Sequence, residues 1–482
     1  MLVIAREQLA YFQPVKKGSY NFRLVCHHWS EVASNTSELW RFWGITLKGW
    51  EGLCHRAGPP VDLVLDGFKS GRAELSIPLS GKLKDRANRD MIRRIHITND
   101  VSDILGPILS CVTPDGGNVQ EKSIESIVIR TDSVPIPKEL SNFFARLRLP
   151  LLRDININGL SETSLWHNIE SALTGTRLTD LSLQPYESSL SLTTPQLLSI
   201  LKANPNLQYL NLVGVLPGKI EDIKIPGPHL SHMREIYLHG NLGSVLQLLE
   251  VIESPAQLDS IELFMEDSTL GDAHRTLVPY VREFFRCHDR FKELLEVSTE
   301  TTPCEVSVIV SPISCCGTSG PMKPYAEFSV HTIDQVDELG LKQLAINLTK
   351  CVPQEHIASL KMEDISDIPE DFFSVMPKLR CLSLKDVELS DGFMGVNSDK
   401  QPSDWEPLHS LQSLHLENII MRDDNWQPLI TYLEHQCSDD QTLFLHMSSR
   451  TNIPRGIYSR IEELVGDFIF VYVGMRIGND TQ

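Results

Sequence analysis

Long apolar runs, a secretion signal and paired cysteine motifs are all missing from this 482-residue sequence. No segment approaches the roughly 18 to 20 uninterrupted apolar residues that a membrane-spanning helix needs, so we expect no membrane span. The N-terminus has no charged segment followed by an apolar core and a cleavage site, which argues against a secretory signal. The ten cysteines form neither a disulfide framework nor a C-x-x-C pair. These absences predict a reducing location, cytoplasmic, nuclear or both.

Positive charge is also scarce, because 44 Lys and Arg residues face 63 Asp and Glu residues and the formal net charge is −19. Phosphate backbones are bound by positive surfaces, so this charge argues against nucleic acid as a partner. The sequence also lacks glycine-rich phosphate loops, the G-x-S-x-G turn and the H-E-x-x-H zinc motif. We therefore predict that the chain is not an enzyme and binds no cofactor.

Two short segments contain Cys or His residues, which commonly bind metals, but neither segment is predicted to form a metal site. Cys26, His27 and His28 are consecutive on a predicted helix, where neighbours point about 100° apart and cannot close on one ion. Cys315 and Cys316 lie in a loop rich in Gly, Ser and Pro, and adjacent cysteines rarely bridge without strain. The prediction is that no metal is bound.

An apolar frame, L-x-x-L-x-L, recurs along the chain and is clearest at Leu207/Leu210/Leu212. Its last two members are two residues apart, so on a strand they point to the same side. Further strong copies are Leu178/Leu181/Leu183, Met233/Ile236/Leu238, Leu258/Ile261/Leu263, Leu379/Leu382/Leu384 and Leu411/Leu414/Leu416. Weaker copies are Ile92/Ile95/Ile97, Ile124/Ile127/Ile129, Leu152/Ile155/Ile157, Leu341/Leu344/Ile346 and Ile357/Leu360/Met362.

A chain with 41% hydrophobic residues matches a single frame often by chance. The regular spacing between frames is therefore the stronger evidence for a repeat. Frames that begin at 178, 207, 233 and 258 are 25 to 29 residues apart, which is the period of leucine-rich repeats. Each unit is then a strand followed by a returning segment, which is helical where Thr194 and Pro195 signal a helix start. The consensus asparagine after the strand is replaced at Val215, Val387 and Ile419. An irregular α/β protein with apolar strands is the alternative.

The frame is lost between 258 and 341. A longer amphipathic helix is predicted over Leu277–Leu295, a strand over Val306–Val310, and a loop rich in Pro, Gly, Ser and Cys follows. This stretch is either a pair of degenerate repeats with an inserted loop or the seam between two repeat blocks.

The N-terminal region has a different pattern. Phe22, Val25, Cys26, Trp29 and Val32 form one apolar stripe of a helix. The segment LVCHHWSEVASNTSELW, Leu24–Trp40, resembles the C-terminal half of an F-box. The continuation through PPVDLVLDG, Pro59–Gly67, is similar to fungal F-box-like proteins in which irregular leucine-rich repeats follow the box.

The resemblance implies partners and docking residues. An F-box binds a Skp-family adaptor within a cullin ubiquitin ligase core, and by resemblance the docking residues here are Leu24, Val25, Trp29, Leu39 and Trp40. The first half of an F-box normally opens with Leu-Pro, which Met1–Tyr20 lacks. Either the box is divergent or the sequence is truncated at its start.

The predicted fold is therefore α/β: a leucine-rich-repeat-like solenoid preceded by a small all-α F-box-like domain. The predicted boundaries are 1–58 for the F-box-like helices, 59–90 for a connecting strand and linker, 91–270 for a first repeat block, 271–340 for degenerate repeats with a loop insertion, and 341–482 for a second block with a C-terminal cap.

The function implied is that of a substrate-recognition adaptor in a Skp/cullin/F-box ubiquitin ligase, acting by proximity without bond chemistry of its own. An interaction scaffold with no ligase role is the alternative. Residues between the apolar frame positions face away from the core, on the predicted concave side that would hold a substrate protein. These are Tyr209, Asn211, Glu235, Tyr237, Glu262, Ser383 and His415.

Overall fold

The chain divides into two units, each built on a row of strands. The computed structural model describes residues 42–44, 61–66, 92–98, 119–120, 124–130, 144, 147–160, 168–169, 172–173, 176–185, 192–216, 228–252, 258–265, 270–286, 289–313, 326–332, 338–366, 368–369, 372–389, 410–421, 425–438, 443–448 and 453–465. Unit 1 comprises Met1–Gly240 and Gln247–Pro255, and unit 2 comprises Asn241–Leu246 and Ala256–Gln482.

In the part of the chain that the structure describes, unit 1 is built on ten parallel strands, eight in one row and two in a separate pair. They are β1 (Phe42–Gly44), β2 (Val61–Asp66), β3 (Ile92–Thr98), β4 (Val119–Gln120), β5 (Ser126–Arg130), β6 (Leu147–Arg148), β7 (Asp154–Leu160), β8 (Asp180–Pro185), β9 (Tyr209–Val213) and β10 (Glu235–Gly240). In the main sheet β1, β2, β3, β5, β7, β8, β9 and β10 lie side by side in that order, all parallel. β4 and β6 form a separate parallel pair. Chain order matches spatial order, as in a stack of repeats.

The segment between β8 and β9 shows how one repeat returns to the start of the next strand. Helix α1 (Thr194–Ala203) begins after Thr193, whose backbone N–H donates to Gln196 Oε1 at 3.0 Å. Pro195 lies in the first turn, where its missing N–H removes no helical hydrogen bond. The buried leucines of this helix and of the strands it joins are Leu181, Leu183, Leu197, Leu198, Leu201, Leu210 and Leu212. The predicted strand–helix unit is confirmed here.

Unit 2 is a second row of strands in which one of the described strands runs opposite to the others. Helix α2 (Leu242–Val251) is shared between the units. The elements that follow are β11 (Ser260–Met265), α3 (Leu270–Arg286), β12 (Leu295–Thr302), β13 (Glu305–Pro312), β14 (Ala326–Thr332), α4 (Glu338–Thr349), β15 (Ile357–Glu363), β16 (Cys381–Lys385), β17 (Glu388–Leu389), β18 (Ser413–Glu417), β19 (Ile420–Met421), α5 (Gln427–Ser438), β20 (Phe444–Met447) and α6 (Arg455–Val465). Short 3-10 helices cover Asp289–Lys292, Gln354–His356 and Phe373–Val375.

The strand order in unit 2 is β11-β14-β13-β12-β15-β16-β18-β20, with β17 and β19 as a separate parallel pair. β13 runs antiparallel to both of its neighbours, β12 and β14. The other described pairings are parallel. Unit 2 is therefore a leucine-rich-repeat-like row interrupted by the β12–β13–β14 meander.

Three sequence predictions differ from the structure. The frame Leu341/Leu344/Ile346 lies in helix α4, not in a strand. The helix predicted over Leu277–Leu295 ends at Arg286, and Leu295 begins β12. In the region predicted to be all-α, 1–58, the described residues are the strand Phe42–Gly44, and the rest lies outside the described residues. The domain boundaries as a whole remain predictions.

A residue in the left-handed conformation marks the carboxyl end of the strand at a fixed position in the frame. The described residues with positive φ all lie two positions after the last apolar residue of a frame: Gly159 (97°), Gly214 (61°), Asp364 (55°), Asp386 (53°) and Asn418 (51°). Glycine has no Cβ to clash in this conformation, and Asp and Asn tolerate it better than most residues. The next residue is apolar and buried at Val215, Ile365, Val387 and Ile419. These strands therefore end in a left-handed residue that is followed, at four of the five positions, by a buried apolar side chain.

We expect Asp386→Val to destabilise unit 2 by about 1–3 kcal/mol, because a β-branched residue is strained at φ 53°. The substitution also removes the Oδ1 atom that accepts a hydrogen bond from Asn418 Nδ2 at 2.5 Å. Asp386→Gly is the matched control, since it loses the same hydrogen bond without the strain. Urea unfolding of both variants measures the difference, and equal losses would show that the turn conformation contributes nothing.

Candidate protein-recognition faces

The first candidate face lies on β9 and β10 of unit 1. Tyr209 pairs in register with Glu235, and Asn211 pairs with Tyr237. On both strands these residues alternate with buried ones, so all four lie on the outward face, the side of the sheet opposite the core. Tyr209 is 37% exposed. The structure places these four residues on one face, and their membership of a binding site stays a prediction.

Two carboxyl groups on the neighbouring strands extend this row. Asp154 on β7 pairs with Asp180 on β8, which pairs in turn with Tyr209. Ser126 Oγ donates to Asp154 at 2.6 Å, and Thr179 Oγ1 donates to Asp180 at 2.5 Å. Burial raises the pKa of both carboxyls, and the charge of Asp180 raises the pKa of Asp154 further. The outward face of unit 1 is thus a polar row that continues across β7 to β10.

Ser383 and His415 lie side by side on the outward face of unit 2, in register on β16 and β18. The ring of His415 is 5.2 Å from the ring of His446 on β20, and Ser413 Oγ is 2.8 Å from His415 Nε2. Burial lowers the pKa of His415, and the charge of His446 acts in the same direction. A catalytic serine–histidine pair also needs a group that orients the imidazole and donors for an oxyanion. The ring that packs against His415 is another histidine, so this contact does not make a catalytic triad.

On β15 and β16 opposite charges form ion pairs on the outward face. Lys361 Nζ lies 3.1 Å from Glu363 Oε2, and Lys385 Nζ contacts Glu363 Oε1. Burial alone would raise the pKa of Glu363, but hydrogen bonds from Lys385 and Lys361 outweigh it, so the pKa is lowered. This part of the face therefore holds an ion-pair network in which two lysines contact one glutamate.

A depression of about 520 Å³ lies at the carboxyl ends of these strands. Its lining is Thr301, Lys342, Glu363, Asp364, Ser366, Asp386, Glu388, Asn418 and Ile420. Lys342 Nζ lies 3.2 Å from Asp364 Oδ1, and Asn418 donates to Asp386. Much of its acidic lining is paired within the protein, so the depression is no strong attractant for a cation.

Glu262, the remaining predicted residue, belongs to a cluster that the sequence did not reveal. His331 Nε2 on β14 lies 3.2 Å from Glu262 Oε1 on β11 and 3.7 Å from Glu305 Oε1 on β13. The ring of His331 stacks on Phe264, with centroids 4.0 Å apart and planes 7° from parallel. Residues from three strands meet here because β14 pairs with both β11 and β13. Sequence spacing could not predict this, because the pairing partners are not sequence neighbours.

The predicted adaptor-docking residues, Leu24, Val25, Trp29, Leu39 and Trp40, lie outside the described residues. Within the described ranges, no group of three or more His, Cys, Asp or Glu residues is arranged to hold a metal ion. Among the helices that the structure describes, none is long and apolar enough to cross a membrane.

No protein-family model matches the chain, and no curated protein matches it. An internalin from Listeria monocytogenes is a similar solved structure, with a TM-score of 0.31, 14% sequence identity, and coverage of 83% of this chain and 94% of that chain. The yeast complex of Rad7 and Elc1 has a TM-score of 0.28, 12% identity, and coverage of 89% and 95%. Likeness at this level is too low to support a functional argument.

Proposed function

We propose that this chain is a non-enzymatic protein-recognition module that holds a partner protein on the outward face of its repeat strands. The observation that carries the proposal is the registered row of Tyr209, Asn211, Glu235 and Tyr237 on β9 and β10. Neighbouring parallel strands place such side chains about 4.8 Å apart, a spacing that suits an extended protein surface. Tyrosine is enriched among the residues that dominate binding energy at protein interfaces.

The finer proposal is that the module is the substrate-recognition adaptor of a Skp/cullin/F-box ubiquitin ligase. It is supported by the resemblance of Leu24–Trp40 to half of an F-box, with Leu24, Val25, Trp29, Leu39 and Trp40 as docking residues. The ligase would then modify whatever the repeat strands hold, because binding raises its local concentration near the ubiquitin carrier. Cytoplasm and nucleus are the expected locations. A scaffold that binds proteins without a ligase remains the alternative.

Photo-crosslinking from the outward face tests the proposal. With p-benzoylphenylalanine in place of Tyr209, we expect a defined partner protein to cross-link in cells. The matched control places the same group at Lys202, an exposed residue of α1. Identical cross-links from both positions would contradict recognition by this face.

When the cross-linked chain is purified, an immunoblot shows whether the Skp-family adaptor is retained with it. A chain that gives the Tyr209 cross-link and also retains the adaptor is the ligase component. A chain that gives the cross-link without the adaptor is a scaffold, which contradicts the finer proposal alone.

A further inference from the structure

The outward face of four adjoining strands in unit 2 carries several glutamates, two of which lie close to His331. In spatial order the strands are β11, β14, β13 and β12. Their outward positions include the five residues of what we term the glutamate face: Glu262, Glu327, Glu305, Glu300 and Glu296. Among the outward positions of these four described strands there is no Lys or Arg. The nearby β15–β16 region differs, because there two lysines, Lys361 and Lys385, pair with one glutamate, Glu363.

Glu262 lies close enough to Glu305 and Glu327 for their charges to repel. Glu262 pairs with Ser329, next to Glu327 along β14, while Glu305 pairs with His331. The pKa of Glu262 is raised, first by burial and then by the charges of Glu327 and Glu305, although the nearby His331 acts in the opposite direction. A positively charged group placed on this face would relieve the repulsion.

An aromatic pair lies within the same surface. Phe264 and His331 stack with their centroids 4.0 Å apart, and His331 is within 3.7 Å of two of the glutamates. Phe264 is only half-buried. Arginine binds carboxylates through a planar fork and also stacks on aromatic rings, which the compact ammonium of lysine does less well. Aromatic rings beside carboxylates therefore match a guanidinium group.

We infer that the glutamate face, together with Phe264 and His331, docks a basic segment of a partner protein, with arginine preferred over lysine. This inference rests on the proposed function and adds the chemistry of the partner. The occupant is identified by charge complementarity: the face carries an excess of negative charge, and the partner supplies the positive charge.

Peptide binding to the full-length chain tests the inference. The probe is a fluorescein-labelled decapeptide of alternating Ser and Arg, compared with its Ser–Lys and Ser–Glu counterparts by fluorescence anisotropy at about 0.15 M salt. We expect the arginine peptide to bind most tightly and the glutamate peptide not to bind. The triple variant Glu262→Gln/Glu305→Gln/Glu327→Gln should bind the arginine peptide about tenfold more weakly, because each lost ion pair contributes a fraction of that factor.

The matched control is Glu283→Gln/Glu462→Gln/Glu463→Gln, which removes the same charge from exposed residues of α3 and α6. We expect less than about a twofold change for it, since exposed charges far from the peptide are screened. Phe264→Leu should reduce the preference for arginine over lysine by about threefold. If the first triple variant does not fold, Glu300→Lys at an exposed position of β12 replaces it, with the same expected direction.

Equal weakening in both triple variants would overturn the inference, because net charge alone would then explain binding. Failure of the arginine peptide to bind the native chain would overturn it as well. The Tyr209 cross-link concerns unit 1 and is scored separately. Its presence with no peptide binding rejects only the glutamate face, while its absence with peptide binding rejects only the proposed role of β9 and β10.

Discussion

Leu384→Ala is expected to lower the free energy of unfolding of unit 2 by about 2–5 kcal/mol. Leu384 is the last apolar residue of its frame, and its side chain is fully buried on β16. The neighbouring positions in the parallel row, Met362 and Leu416, are also buried and in register with it. Truncation removes contacts and leaves a cavity that close-packed neighbours can refill only in part.

Ser383→Ala is the matched control, because the two residues are adjacent on the same strand but face opposite sides. Ser383 lies on the outward face, so its truncation should change stability by less than about 0.5 kcal/mol. Urea unfolding followed by circular dichroism compares the variants. Hydrogen exchange of β16 peptides then locates the loss in unit 2. Similar losses for Leu384→Ala and Ser383→Ala would refute the assignment of core and outward positions.

The strands could be predicted from sequence wherever burial alternates along the frame. Leu210 and Leu212 are buried on β9 while the residues between and before them are not, so two-residue periodicity predicted the strand and its outward side. The weaker frame at Ile357/Leu360/Met362 is likewise a strand, β15. The residue two positions after the frame carries a further, weaker signal. At Asp364 and Asn418, the residue two positions after the frame adopts the left-handed conformation, whereas Gly240 at the same position after Leu238 does not.

The same frame failed at Leu341/Leu344/Ile346 because it also fits a helix. Leu341, Leu344, Ala345 and Leu348 are spaced three and four residues apart, and all four are buried on α4. In an L-x-x-L-x-L frame the first two positions fit the helical period and the last two fit the strand period, so the frame by itself cannot separate strand from helix. The helical spacing of the apolar residues continues to Leu348, and this longer pattern indicates a helix.

The candidate site was only partly predictable for a related reason. The periodicity of one strand predicts which of its residues face outward. It does not predict which residues lie beside them, because that depends on which strands pair. The parallel β15–β16–β18 row follows chain order, so Ser383 and His415 could be placed together. β14 instead lies between β11 and β13, with β13 reversed, and this brings His331 to Glu262. Such long-range pairing is a property of the folded chain that local periodicity does not encode.

Acidification is expected to destabilise unit 1 through His96. The side chain is 3% exposed on β3. Burial lowers its pKa from 6.5 to about 4, and the charges of Arg94 and Arg130 act in the same direction. Since the unfolded chain binds the proton at higher pH than the folded chain, stability is fully present above pH 6.5 and is lost as the pH falls from 6.5 to about 4. The shift corresponds to about 3 kcal/mol.

His96→Leu removes this titration and should flatten the stability profile between those pH values. Urea unfolding at intervals from pH 7 to pH 4, on the native chain and the variant, measures the difference in slope. Comparing slopes cancels the contributions of Asp154 and Asp180, which both proteins share. His232→Leu is the control, because His232 is an exposed histidine of the same unit. Parallel profiles for the native chain and His96→Leu would show that His96 takes up its proton as readily in the fold as in the unfolded chain.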